Sequence, residues 1–174
     1  MPRPNLLFLY TDEQAARTMA AYGNDQIETP NLDRLAEESL VFERTYVTQP
    51  VCTPSRSSLL TGLYPHTSGC TANNIPLPER VQCLPELADF SDYRTAHMGK
   101  WHLGDEIFAQ HGFREWVSIE DGYRAYYSPG RDRDRHCDYW HWLVDEHGVE
   151  PPASEDGFNA FGRGQSARLP EELS

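Results

Sequence analysis

One short stretch of the chain places a thiol beside groups that attract anions. It begins at Cys52 and reads Cys-Thr-Pro-Ser-Arg-Ser-Ser-Leu-Leu-Thr-Gly. Thr53-Pro54 has the pattern of an N-cap followed by the first helical residue, and Gly62 would end that helix. The free N–H groups and the dipole at a helix start favour an anion, and Arg56 can present a planar fork to an oxyanion. The pattern fits two alternatives. One is an anion-binding nucleophile site, and the other is a buried structural cysteine, without a chemical role, before a capped helix.

A second stretch, Gly99-Lys100-Trp101-His102-Leu103-Gly104, adds a cation and an imidazole. It follows a predicted strand, and open α/β sheets place ligands at the ends of their strands. Lys100 is the only lysine among fifteen basic residues. Taken alone, a single lysine and a single histidine are more often structural than catalytic.

The composition indicates a soluble globular protein. The 174 residues are 39% hydrophobic and 24% charged, and the net charge of −12 argues against nucleic-acid binding. An anionic substrate would need a local cluster of cations. We expect no membrane span and no signal peptide, and the four cysteines form no CxxC pair. These features predict a cytoplasmic chain with reduced thiols.

Hydrophobic patterning predicts strands that alternate with helices, and hence an α/β layer architecture. A helix is predicted from Thr29-Pro30, and weaker patterns suggest a strand near 116–119 and a short amphipathic helix over 138–145. The chain from 151 to 174 has the composition of a loop. The clearer remaining segments are strands at Asn5–Thr11, Leu40–Val47 and Tyr93–Met98, and a short helix at Cys83–Asp89.

The stretch from Cys52 matches the pattern C-x-P-S-R-x-x-x-L-T-G at every specified position, so the chain resembles the N-terminal part of the sulfatase family. The segment Gly99–Gly104 is similar to that family's G-K-W-H-x-G motif. The resemblance implies an alkaline-phosphatase-like fold, with a layered sheet and helices on both faces. It also implies a sulfuric ester hydrolase that acts on a sulfated small molecule or sugar.

The resemblance implies a modified nucleophile at Cys52. In the family this cysteine is oxidised to formylglycine (3-oxoalanine) by a sulfatase-maturing enzyme that reads the C-x-P-S-R stretch, here including Arg56. One hydroxyl of the aldehyde hydrate attacks sulfur, and the other then expels sulfate and restores the aldehyde. Lys100 would hold the sulfate, and His102 would bond the hydrate and help to move its proton.

The resemblance also implies a divalent cation, usually calcium. The family carries an acidic pair after its first strand. Asp12 fits the first position, whereas Glu13 departs from the usual aspartate at the second. With the hydrate of residue 52 these carboxylates supply fewer than the roughly six to eight oxygens that calcium takes.

The resemblance covers residues 1–105 well and 106–174 weakly. No Asp-His or Asp-Asn pair and no second lysine follows, so we expect one incomplete part of a catalytic domain, with an incomplete sheet and weak metal binding. Three other interpretations stay open. They are a phosphonate or phosphate monoester hydrolase of the same superfamily, a truncated non-catalytic fragment, and a thiol enzyme that uses unmodified Cys52 with His102.

Overall fold

The computed structural model describes residues 3–120 and 122–151. By its internal contacts the chain divides into two compact units, residues 1–47 and 48–174. The loop predicted over 151–174 lies almost entirely outside the described residues. None of the described helices has the length and apolarity needed to cross a lipid bilayer.

The first unit is organised around one helix, α1 (Pro30–Glu37), with two 3₁₀ turns before it at Ala16–Thr18 and Ala20–Tyr22. Pro30 lies in the first turn, as predicted, because a proline needs no hydrogen-bond acceptor there. The Thr29 hydroxyl donates to Asp33 (2.9 Å) and accepts the N–H of Ala20 (3.1 Å). These bonds fix the second 3₁₀ turn against the start of the helix.

The strands predicted at Asn5–Thr11 and Leu40–Val47 are absent from the described structure. A strand requires a neighbour for its backbone N–H and C=O groups, and the described part of the first unit provides none. Apolar side chains of both segments are largely exposed, as at Leu7 (80%) and Leu40 (81%). The first unit thus has uncovered apolar surface.

The second unit contains the helices α2 (Cys52–Thr61), α3 (Pro65–Ser68) and α4 (Asp138–His141), and α4 continues into a π-helical turn at Trp142–Glu146. The helix predicted over 138–145 is therefore present. The helix predicted at Cys83–Asp89 is instead a pair of 3₁₀ turns, Leu84–Glu86 and Ala88–Phe90, and a third 3₁₀ turn spans Arg124–Tyr126.

Two strands, β1 (Ala96–Gly99) and β2 (Glu115–Ser118), pair in parallel. Ala96 lies opposite Glu115, and Gly99 lies opposite Ser118. The strand predicted at Tyr93–Met98 is thus present but begins three residues later. The described residues have an α/β fold with a small parallel sheet, so the predicted fold class is correct and the sheet is incomplete.

The buried core beside this sheet combines aromatic and aliphatic side chains. One cluster contains Cys70, Leu77, Cys83, Trp101 and Leu103, all at most 4% exposed. Trp101, from the segment that follows β1, packs edge-on against Trp116 of β2 with ring centroids 5.1 Å apart. The core therefore fixes the segment after β1, which carries two of the predicted site residues.

Candidate functional site

Helix α2 places Cys52 at its first residue. The cap is Val51, so the prediction that Thr53 caps the helix is wrong. Pro54 still lies in the first turn, where its missing N–H costs nothing. Gly62 ends the helix as predicted, with φ of 71°, a conformation that favours glycine. Cys52 thus lies where the positive end of the helix dipole favours an anion.

Cys52 differs from the other three cysteines in its accessibility. All four are free thiols, and Cys52 is half-buried whereas Cys70, Cys83 and Cys137 are buried. A modifying enzyme or a substrate can therefore reach residue 52 more readily than the other thiols.

Two side chains of α2 bind the backbone of the segment after β1. The Thr53 hydroxyl donates to the carbonyl of His102 (2.8 Å), and Nη1 of Arg56 donates to the carbonyl of Lys100 (2.7 Å). Both side chains are buried, with Thr53 fully covered and Arg56 8% exposed. The two sequence motifs, some 40 residues apart, therefore meet through direct hydrogen bonds.

The segment from Gly99 to Asp105 has an unusual backbone that explains its glycines. Four of its residues have positive φ: Gly99 (120°), His102 (56°), Gly104 (100°) and Asp105 (41°). A Cβ on Gly104 would lie 2.9 Å from Cβ of Pro76. Both the backbone conformation and the close approach therefore require glycine at position 104.

Glu106 holds this segment in place. Its two carboxylate oxygens accept the backbone N–H groups of Trp101 (2.6 Å) and His102 (2.5 Å). The side chain is 1% exposed. Burial, together with the nearby Glu120 carboxylate, raises the pKa of Glu106 to about 7, although the two N–H groups and Arg56 act in the opposite direction. Glu106 is therefore a buried carboxyl group that can titrate near neutral pH.

Tyr123 contacts the side chains of both motif residues. The His102 ring stacks on the Tyr123 ring with centroids 3.9 Å apart. Burial raises the pKa of Tyr123, and a side-chain hydrogen bond with Lys100 opposes that shift. Nζ of Lys100 also lies 3.7 Å from a carboxylate oxygen of Glu120, and Nε2 of His102 lies 2.8 Å from Oδ1 of Asn74. The Lys100 ammonium therefore contacts Tyr123 and Glu120, and the His102 imidazole contacts Tyr123 and Asn74.

Within the second unit, hydrogen bonds join helix α2, which carries Cys52 and Arg56, to the backbone of Lys100 and His102. Asp12 and Glu13 belong to the first unit, where both are exposed and Glu13 has φ of 57°. Their assignment as metal ligands stays a prediction.

Sequence reasoning missed several residues that build this site. Thr53 stands at a variable position of the signature, and a hydroxyl directly after Cys52 was the one available signal. Glu106, Asn74 and Tyr123 carried no signal, because only folding brings them to the motif.

Together, the α/β fold and the thiol at a helix start, in the same helix as the buried guanidinium of Arg56, form a candidate anion site. The sequence model of the Sulfatase family matches residues 4–153. The chain belongs to the Sulfatase family, as its motifs predicted.

Several known proteins are similar to this chain. An ulvan-active sulfatase of Formosa agariphila is 36% identical over 146 residues, which are 83% of this chain and 25% of that protein. An N-acetylglucosamine-6-O-sulfatase of Bacteroides thetaiotaomicron is 36% identical, over 73% of this chain and 23% of that protein. The chain thus spans about a quarter of the length of these relatives.

Solved structures agree on the fold. A protein in complex with its substrate D-glucosamine-2-N,6-O-disulfate is 38% identical and has a TM-score of 0.63, over 70% of this chain and 24% of that chain. The chain therefore has part of an alkaline-phosphatase-like fold.

Proposed function

We propose that this chain forms part of a sulfuric ester hydrolase that cleaves a sulfate monoester of a sugar. The relatives are named as sulfatases of ulvan and of N-acetylglucosamine, and one similar structure holds a sulfated glucosamine. These names support a sulfated carbohydrate as the substrate class.

The observation that carries the proposal is the junction of the two motifs. Cys52 begins α2, and the next residue, Thr53, donates a hydrogen bond to the carbonyl of His102. Arg56, one turn further along, donates to the carbonyl of Lys100. These bonds hold the backbone of Lys100 and His102 against the helix that begins at Cys52, which supports a role for the three residues in transfer of an anionic group.

Each of these residues has a role in the proposed reaction. Lys100 would neutralise the sulfate, and its ion pair with Glu120 at 3.7 Å is long enough to be exchanged for a substrate oxygen. His102, stacked on Tyr123, would give or take the proton of the attacking or leaving oxygen. The buried guanidinium of Arg56 would add positive charge and hold the backbone of Lys100.

We further propose that Cys52 is the precursor of formylglycine, made by a sulfatase-maturing enzyme. When present, the hydrated aldehyde would supply one hydroxyl as nucleophile and a second hydroxyl that releases sulfate. The greater accessibility of Cys52 compared with the other three cysteines supports its selective conversion.

A divalent cation, in this family usually calcium, would be held in part by Asp12 and Glu13. Carboxylate oxygens suit a hard cation, and both side chains are exposed. Two carboxylates are fewer ligands than calcium takes, so other oxygen ligands would complete the site.

The first experiment is to measure the mass of the peptide that contains residue 52, from the full-length protein made in its native host. Conversion of the thiol to the aldehyde lowers the mass by about 18 Da. The second is turnover of nitrophenyl sulfate, compared with nitrophenyl phosphonate.

We expect the lowered mass, together with faster turnover of the sulfate. An unmodified Cys52 would overturn the formylglycine proposal. Faster turnover of the phosphonate would instead assign the site to phosphonate monoesters.

A further inference from the structure

A second cluster of reactive side chains packs against the aromatic core around Trp101. It consists of Cys83, Glu86 and His111, and one ligand atom from each lies within 4.8 Å of the others. Cys83 caps the 3₁₀ turn Leu84–Glu86, and Glu86 is the last residue of that turn. His111 comes from the loop before β2. The proposed reaction uses none of the three. We propose that they bind a zinc-type divalent cation.

The donor types favour zinc over calcium. A thiolate, an imidazole and a carboxylate are the three ligand classes found in zinc sites, whereas calcium takes oxygen ligands alone. With Zn²⁺ bound, the charges of one thiolate and one carboxylate balance the metal. The cation would therefore leave no net charge beside the apolar core that includes Cys83.

The distances fit a tetrahedral ion after a small movement. Nδ1 of His111 lies 3.2 Å from Oε2 of Glu86. Nitrogen and oxygen ligands at zinc are about 3.3 Å apart, and sulfur and nitrogen ligands about 3.5 Å apart, from the usual bond lengths and the tetrahedral angle. The Cys83 sulfur lies within 4.8 Å of the other two ligand atoms, so it would move inward by at most about 1.3 Å.

The backbone around His111 holds this arrangement tightly. His111 has φ of 49°, a strained conformation for a residue other than glycine. A Cβ added to Gly112 would lie 2.8 Å from Cγ of Glu86, so the His111–Gly112 turn is packed directly on the glutamate. The N–H of Cys83 donates to Oε2 of Glu86 (2.7 Å) and orients the carboxylate, as outer-shell bonds do in metal sites.

An ion could enter from one side. Glu86 and His111 line an open cleft of about 280 Å³, whose other polar groups include Glu79, Asp105 and Arg131. Cys83 has no exposed surface. The three protein ligands would thus leave the fourth position of the metal facing the cleft, where water or a small anionic ligand could bind.

Metal binding must displace the thiol proton. As the sulfur–metal bond forms, the S–H bond breaks and one proton goes to solvent, so binding should tighten as pH rises.

The test is a titration of the reduced 174-residue chain with Co²⁺, in a Cys52→Ala background that removes the accessible thiol. We expect one equivalent of Co²⁺ to produce a thiolate-to-cobalt charge-transfer absorption and tetrahedral d–d bands, and Zn²⁺ to abolish both. His111→Gln should weaken the apparent affinity by at least about tenfold. The matched variants His141→Gln and Cys137→Ala should leave the spectrum and the affinity unchanged.

A folded chain with no charge-transfer band would overturn the proposal and leave a hydrogen-bonded network of purely structural role. A band that persists in Cys83→Ser, or an affinity unchanged by His111→Gln, would overturn it too. If Cys83→Ser does not fold, His111→Gln decides, because glutamine keeps a polar side chain of similar size at the cleft.

Discussion

Nη1 of Arg56 lies 2.7 Å from the carbonyl oxygen of Lys100, and this bond joins residues 44 positions apart in the chain. Each residue belongs to a different motif, and the bond runs from a side chain to a backbone atom. Arg56 therefore acts on the position of the whole segment after β1 as well as adding charge to the site.

Arg56→Lys should destabilise the protein although it keeps the positive charge. Lysine lacks the planar fork of arginine and cannot keep the same geometry toward the Lys100 carbonyl. We expect a loss of about 1.5–3 kcal/mol in the free energy of unfolding, measured by urea denaturation. The exposed Arg80→Lys is the control. Equal stability of the two variants would show that the bond contributes little.

Thr53→Val should be destabilising despite its similar shape. The substitution leaves the carbonyl of His102 and the N–H of Asn74, which now bond the Thr53 hydroxyl, without that partner. The expected cost is about 1–3 kcal/mol, since both groups lie at a buried site. Thermal unfolding measures it, with the exposed Thr71→Val as control. A shift no larger than that of the control would contradict this role for Thr53.

Glu106 should make the stability depend on pH. Its pKa rises from 4.5 to about 7 on folding, so between these values the folded state binds more protons than the unfolded state. Stability should therefore fall as pH rises from about 4.5 to 7 and then level off, by at most about 3 kcal/mol from this group. Glu106→Gln should flatten that slope in urea titrations, whereas the exposed Glu79→Gln should retain it. If the stability of Glu106→Gln still falls with pH over this range, then groups other than Glu106 cause the slope.

Tyr123 should affect turnover through two separable contacts. Tyr123→Phe keeps the ring on which His102 stacks and removes the hydroxyl that bonds Lys100, whereas Tyr123→Ala removes both. In the full-length protein we expect Tyr123→Ala to lower kcat for nitrophenyl sulfate by about 10- to 100-fold, and Tyr123→Phe to lower it less. Equal rates for both variants and the parent would exclude a positioning role for the ring.

Gly112→Ala should cost more stability than Gly130→Ala. Both glycines have positive φ, 78° and 86°, so the backbone strain is similar. Only at Gly112 does the added methyl group collide, at 2.8 Å from Glu86, and Gly130 has open space. The difference should be about 1–3 kcal/mol in urea denaturation. Equal costs would mean that Glu86 moves aside freely.

Much of the site could be predicted from the sequence because its chemistry lies in two contiguous stretches. The segment from Cys52 to Gly62 contains its own helix start and stop, so Cys52, Arg56 and the terminating glycine were found by local rules. Lys100 and His102 were predicted from the resemblance of their segment to a family motif, and that segment follows a strand, as expected. The error at the helix start, where Thr53 was predicted as the cap, arose because its hydroxyl binds a distant carbonyl.

The strands predicted at Asn5–Thr11 and Leu40–Val47 show the limit of local patterns. An apolar run indicates that a segment prefers burial. A strand, however, forms only where another strand completes its backbone hydrogen bonds. β1 and β2 pair with each other, and both strands are present close to where the pattern predicted them.

The sequence by itself determined the family, and it predicted the nucleophile precursor and its cationic neighbours, since these depend on residue types at fixed short spacing. Only the tertiary structure showed that Glu106 clamps the segment after β1, that Tyr123 supports His102, and that Cys83 meets Glu86 and His111. The physical reason is the same in each case. Hydrogen bonds, ring contacts and metal coordination act over a few ångströms, and folding alone decides which distant residues come that close.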